Sequence, residues 1–172
     1  SSAASDVYKR QQLLDMGICE VLLPLTDSPS IEVQGNSAAA LGNLSSKADD
    51  YAPFNAVWDK PAGGLHGYLV RFLESEDTTF QHIAVWTLIQ LLESGNHELE
   101  QHIRDSPHVL DLVRQLQSRI GTFESEHEQA DTSTAADTSG QDVSPEREIA
   151  ALSRRIEEIL FEESDDGTSD AK

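Results

Sequence analysis

Residues 17–44 read GICEVLLPLTDSPSIEVQGNSAAALGNL, and residues 64–91 read GLHGYLVRFLESEDTTFQHIAVWTLIQL. Laid over one another without a gap, they pair Gly17 with Gly64, Leu22 with Leu69, Ser28 with Ser75, Gln34 with Gln81 and Leu41 with Leu88, each 47 positions apart. Leu25, Val33 and Leu44 recur at that offset as Phe72, Phe80 and Leu91, so the apolar positions keep their character. Phe80, Ala84, Leu88 and Leu91 follow one another at steps of 4, 4 and 3, which is a helical stripe and not the alternation of a strand. A helical unit that recurs in tandem buries its apolar face against its neighbours, so the chain is predicted to be all-α and built by stacking.

Working outward, the first unit is expected to have a short helix ending at Met16-Gly17, a second over Ile18 to Leu25 and a third over Ile31 to Leu44. Ser30 caps the third, after the turn at Ser28-Pro29. The second unit is expected to use Asp49 to Trp58, a break at Pro61-Ala62-Gly63-Gly64, then Leu65 to Leu73 and Thr78 to Leu92. Ser75-Glu76-Asp77 supplies oxygens for the free amides of that last helix. A third unit opens with Glu98 to Ile103, breaks at Ser106-Pro107 and continues over Val109 to Leu116 with no third helix, so two full repeats and a partial one are expected. A unit near 47 residues with three helices is the period of an armadillo or HEAT solenoid, folds that serve as binding surfaces.

The remainder is a different polymer. Through Ile120 there are 8 Lys/Arg against 16 Asp/Glu, and from Gly121 onward 4 against 15. Residues 121–143 hold six acidic residues and no Lys or Arg, a composition that buries too little apolar surface to offset the entropy of ordering. Ser144-Pro145-Glu146 then reads as a helix start, and Ile149, Leu152, Ile156, Ile159 and Leu160 form one apolar face. Two placements stay open for that helix: folded back over the open end of the solenoid, or presented on a tether to a partner. The expected domain plan is repeats over 12–120, an acidic disordered linker over 121–143, an amphipathic helix over 144–163 and a disordered tail over 164–172. Residues 1–11 fit the repeat poorly at Val7-Tyr8-Lys9-Arg10. With the first repeat already under way by Leu13, the chain is expected to be the C-terminal piece of a longer solenoid.

A net charge of −19 repels phosphate backbones and anionic lipid headgroups, which argues against nucleic-acid binding and polybasic membrane docking. It favours a basic segment on a protein partner. There is no run of about 18 apolar residues and no signal peptide, so a soluble, intracellular chain is expected. The lone Cys19, inside an apolar run, reads as a small buried hydrophobe in a reducing compartment.

Catalytic and metal chemistry find little purchase. His97, His102 and His108 are five and six residues apart across Pro107, which puts no two imidazoles on one helical face. The carboxylates of residues 124–128 and of Glu162, Glu163, Asp165 and Asp166 lie in polar sequence with no apolar shell to raise a pKa. Gly63-Gly64 lacks the further glycines of a phosphate-cradling loop, and no nucleophile elbow is present. The chain is therefore expected to be no enzyme, with no cofactor and no metal. What remains is the exposed face of the long third helices. Helical spacing groups Glu32, Asn36, Ala39 and Asn43 in one unit and Thr79, His82, Trp86 and Gln90 in the next. Asn43 and Gln90 occupy the same repeat position, where an amide can both donate to and accept from an extended peptide. Trp86 offers an apolar shelf beside them, or else packs between repeats, while Trp58 reads as structural. The partner-binding candidates are Glu32, Asn36, Asn43, Thr79, His82, Trp86 and Gln90.

Gln34-Gly35-Asn36-Ser37-Ala38-Ala39-Ala40-Leu41-Gly42-Asn43-Leu44 resembles the third-helix pattern of armadillo repeats, whose Ala-Leu-x-Asn-Leu core is widely shared. Three longer strings are more particular: Leu13 to Leu22, Gly63 to Leu69, and Phe80-Gln81-His82-Ile83-Ala84-Val85-Trp86-Thr87-Leu88. They resemble the C-terminal repeats of the fungal vacuolar armadillo-repeat family over about Leu13 to Leu116.

That resemblance implies a right-handed superhelical solenoid from a multivalent adaptor on the cytosolic face of the vacuole, held there by a lipidated N-terminus that this sequence does not contain. It implies roles in vacuole inheritance, nucleus–vacuole junctions, vacuole fusion and autophagy, exercised by docking extended or helical partner segments. Gln90 in place of Asn, and Ala39 where some cargo-binding members carry Trp, depart from the nuclear-transport type of armadillo adaptor. A further alternative is the armadillo arm of a ubiquitin ligase, which an upstream U-box would mark.

Overall fold

The computed structural model describes the backbone of residues 2–130 and 144–162 and the side chains of 5–119 and 144–161. Among the described residues every regular element is a helix. The order is α1 (Ser2–Asp15), α2 (Ile18–Leu25), α3 (Ile31–Ser45), α4 (Ala52–Ala56), α5 (Gly64–Glu74), α6 (Thr78–Leu92), α7 (His97–Arg104), α8 (Pro107–Ala130) and α9 (Pro145–Glu162).

Local chemistry sets most of these boundaries. Ser30 is extended and its Oγ accepts from Val33 N at 3.4 Å. Asp77 stands 47 residues on and its Oδ1 accepts from Thr79 N at 2.8 Å and Phe80 N at 3.3 Å. Asn96 Oδ1 does the same for Leu99 N at 3.0 Å, opening α7. Each cap satisfies amides that a first turn leaves without a carbonyl.

The repeated Ser and Gln have a shared task. Gln34 Nε2 donates to the Ser28 carbonyl, and Gln81 Nε2 donates to the Ser75 carbonyl at 2.6 Å, so each long helix ties down the turn that precedes it. The two serine hydroxyls accept from Ser30 N at 3.2 Å and Asp77 N at 3.1 Å. Gly17 and Gly64 have φ of +85° and +67° at the start of α2 and α5. At Gly64 a Cβ would come within 2.5 Å of the carbonyl oxygens of Val57 and Trp58, so no larger residue fits.

Packing follows the repeat. α2 lies against α5 and α5 against α8, while α3 lies against α6 and α6 against α9. Leu41 and Leu88, equivalent by sequence, are both fully buried. Phe72 stacks on Phe80 with centroids 4.6 Å apart, and Tyr68 meets Phe72 edge-on at 4.7 Å, linking second and third helices of one unit. Trp58 is half-buried and stacks on His102 at 5.1 Å, a structural setting.

Three sequence expectations are corrected. The helix expected over Asp49 to Trp58 is only Ala52–Ala56. Pro53 has no N–H and fits only a first turn, and the carbonyls of Val57 and Trp58 turn away to accept from Leu65 N and His66 N, both at 2.8 Å. The expected linker beginning at Gly121 starts inside α8, whose backbone stays helical to Ala130; 131–143 and 163–172 lie outside the described residues. The third unit does have a third helix. α9 runs beside α6 as α6 runs beside α3, reached after a longer connection, 131–144, than the turns at 26–30 and 75–77. The run Val7 to Arg10 is part of α1.

Candidate partner-binding face

α3, α6 and α9 stand side by side and point the same way. Gly35 meets Phe80 and Gly42 meets Trp86, while His82 reaches Glu148 and Glu93 reaches Arg155, so in both pairs contacts ascend together. These helices form one wall.

On α3, Glu32, Asn36 and Asn43 are all exposed, and Ala39 is half-buried between them. On α6, Thr79 is exposed and His82, Trp86 and Gln90 are half-buried. Helical spacing puts each line of candidates along one side of its own helix. Trp86 sits closest to the seam. Its ring lies over Gly42, where a Cβ would fall 2.5 Å from Cζ3, so the indole rests on bare α3 backbone with part of its surface open. Trp86 thus packs between units while remaining only half-buried. Asn43 follows Gly42 directly on α3, and Gln90 stands one turn beyond Trp86 on α6.

His82 is engaged otherwise than the sequence suggested. Its Nε2 lies 2.8 Å from Glu148 Oε2, which makes it a contact to α9. Nothing in the spacing of residues 78–92 could announce a partner 66 positions away. The arginines of α9 were also missed. Arg147, Arg154 and Arg155 are exposed, and Arg155 Nε meets Glu93 Oε1 at 3.4 Å and Arg155 Nη1 meets Glu158 Oε2 at 3.7 Å.

The other chemistry-bearing groups are occupied in the fold. Cys19 is 2% exposed, and burial, followed by the charge of Glu20, pushes its thiol up to about 12. Burial also drives the Tyr68 phenol far up. His66 is lowered by burial and then by His108. His108 Nε2 lies 3.0 Å from Glu74 Oε1, and His97 and His102 lie near Glu100 and Glu98. No group of three or more His, Cys, Asp and Glu suited to a metal occurs among the described residues. No helix there is long and apolar enough to cross a membrane.

The armadillo/beta-catenin-like repeat model matches residues 6–46, which includes the part of α1 whose sequence fits the pattern poorly. The chain is 61% identical over 117 residues to Vacuolar protein 8 of Schizosaccharomyces pombe, covering 68% of this chain and 21% of that protein. It is 48% identical over 158 residues to Vacuolar protein 8 of Gibberella zeae, covering 92% of this chain and 26% of that protein. With Vacuolar protein 8 of Saccharomyces cerevisiae it shares 43% over 114 residues, 66% of this chain and 20% of that protein. The chain thus spans about a quarter or less of the length of these relatives. Stacked three-helix units, the repeat match and this level of identity together make the chain an armadillo-repeat relative of the fungal Vacuolar protein 8 proteins.

Proposed function

We propose that this chain is a non-catalytic scaffold that captures a segment of a partner protein along the wall of α3 and α6. The observation that carries this reading is the Trp86 ring lying on Gly42 of α3, with Asn43 the next residue along α3 and Gln90 one helical turn along α6. An aromatic shelf and these amides offer apolar contact and main-chain hydrogen bonding to an extended chain. Glu32 on the same face and the net charge of −19 favour Lys or Arg on the segment bound beside α3. Thr79 and Asn36 extend the polar rim.

The relatives carry the name Vacuolar protein 8, and with the resemblance to vacuolar adaptors this supports work at the cytosolic face of the vacuole. In that reading the parent is held to the membrane by lipidation at its N-terminus. It serves vacuole inheritance, nucleus–vacuole junctions, vacuole fusion and autophagy by docking different partners in turn.

The test is capture from fungal lysate by the intact chain, by Trp86→Ala with Asn43→Ala, and by Glu76→Ala, an exposed change off the wall. Partners retained by the intact chain and Glu76→Ala but lost from the double variant support the wall. Equal recovery by all three moves the binding surface elsewhere.

A further inference from the structure

α9 differs from the third helices of the other two units in how it is held. α3 and α6 are fed by short turns, each clamped by a glutamine of the helix itself, whereas residues 131–144 separate α8 from α9. Fully buried or nearly so are Ile149, Ala150, Ser153, Ile156 and Leu160, against six buried positions on α3 and nine on α6. One of the five is polar: Ser153 Oγ has no hydrogen-bond partner among the described residues. A cleft of about 170 Å³ remains between α8 and α9, bordered among others by Val113, Arg114, Ile156 and Phe161. The polar contacts of α9 to the body are at its rim. His82 meets Glu148 at 2.8 Å, Arg155 meets Glu93 at 3.4 Å and Arg114 meets Glu157 at 3.8 Å. Arg104 Nη1 donates to the Leu160 carbonyl at 2.8 Å, and Gln117 Nε2, with its amide turned toward α9, donates to Glu157 at 2.9 Å. Pairs this exposed each hold weakly. A helix whose polar ties are exposed, and whose seam holds an unsatisfied hydroxyl and an underfilled cleft, opens at lower cost than a helix clamped at its own turn.

We propose that the furrow between α6 and α8 is an exchangeable docking site for an amphipathic helix, filled in cis by α9 and open to a partner helix of matching pattern. The matching helix carries apolar residues at the spacing of Ile149, Ile156 and Leu160. It places carboxylates where Glu148 and Glu157 stand, because His82 on α6 and Arg114 with Gln117 on α8 face those positions, and a cation where Arg155 meets Glu93. This seat is separate from the shelf at Trp86, so the two sites can be tested independently.

The probe is a fluorescently labelled peptide of residues 144–162, titrated into the full chain and followed by anisotropy. Three forms are compared: the unaltered chain, Ile149→Asp with Ile156→Asp to free the seat, and His82→Cys with Glu148→Cys bridged by a short bis-maleimide to hold α9 in place. Cys19 is buried and does not compete for the reagent. The freed seat is expected to bind at least about tenfold tighter than the unaltered chain, since apparent affinity scales with the open fraction. The bridged chain is expected to bind no peptide, while the same double-cysteine chain before bridging does. A peptide carrying Glu157→Lys is expected to bind the freed seat about two- to fivefold more weakly.

Equal binding by bridged and unbridged chains overturns the proposal, and so does a freed seat that binds no better than the unaltered chain while its thermal transition persists. Should the freed variant not fold, the bridged and unbridged pair decides alone. Light scattering that shows a dimer formed through exchanged α9, with no peptide uptake, assigns the seat to a second copy and likewise overturns the proposal.

Discussion

Replacing Gly42 by alanine tests the contact on which the partner-binding shelf depends, and its sign should depend on Trp86. Inside a helix, Gly to Ala is ordinarily stabilising by about 0.8–1 kcal/mol. Here the added Cβ would stand 2.5 Å and 2.9 Å from two carbons of the Trp86 ring and 3.0 Å from Thr87 Oγ1. Carbon atoms settle at about 3.5–4.0 Å, so the ring must retreat by roughly 1 Å from a seam where its neighbours Val85, Thr87 and Leu88 are buried. Overpacking of this kind costs about 1–3 kcal/mol, which outweighs the gain in propensity and leaves Gly42→Ala destabilising by about 0–2 kcal/mol. With Trp86→Ala already present the ring is gone, and the same change should stabilise by up to about 1 kcal/mol. Urea unfolding of the four chains, followed by far-UV circular dichroism at constant slope, measures a coupling of about 1–3 kcal/mol. Gly42→Ala stabilising to the same extent in both backgrounds would refute the placement of the indole on the α3 backbone.

Ser153→Ala removes a buried hydroxyl without a partner and adds a better helix former, so it should raise stability by about 0.5–2 kcal/mol; a loss in urea titration would mean the hydroxyl is satisfied. Cys19, with its thiol pushed up to about 12, should resist iodoacetamide at pH 8 in the native chain and react readily in urea, and comparable rates in both conditions would contradict its burial. His66 binds a proton less readily in the folded chain than its ordinary 6.5, so the unfolded chain takes up more protons as pH falls through that value. Its contribution to stability is therefore lost toward pH 5.5 and recovered above 6.5, and His66→Asn should flatten the difference between melts at pH 5.5 and 7.5.

How legible the fold was varied along the chain for identifiable reasons. The repeat of 47 placed α2, α3, α5 and α6 within a residue or so, because apolar stripes, Ser30, Asp77 and the glycines at 17 and 64 act over at most a few neighbours. The reason Ser28 and Gln34 recur was not readable, since a glutamine tying down its own turn leaves no mark beyond identity. The first helix of the second unit was overestimated because Pro53 and the carbonyls of Val57 and Trp58 end it through contacts to residues after the break.

The seven candidate residues fall on one side of α3 and α6 because helical spacing alone assigns a face. What that face touches is another matter. Trp86 settles on Gly42, and His82 is drawn to Glu148, by packing between segments far apart in sequence.

By itself, the amino-acid sequence determined that the chain is helical, repeated with a period of 47, acidic, and closed by an amphipathic segment. Tertiary structure alone decided that this last segment is the third helix of the third unit. Periodicity and capping are local energies, written within a turn or two of where they act. The place of α9 depends on shape and charge matching across α6 and α8, to which residues 131–144 contribute no local signal.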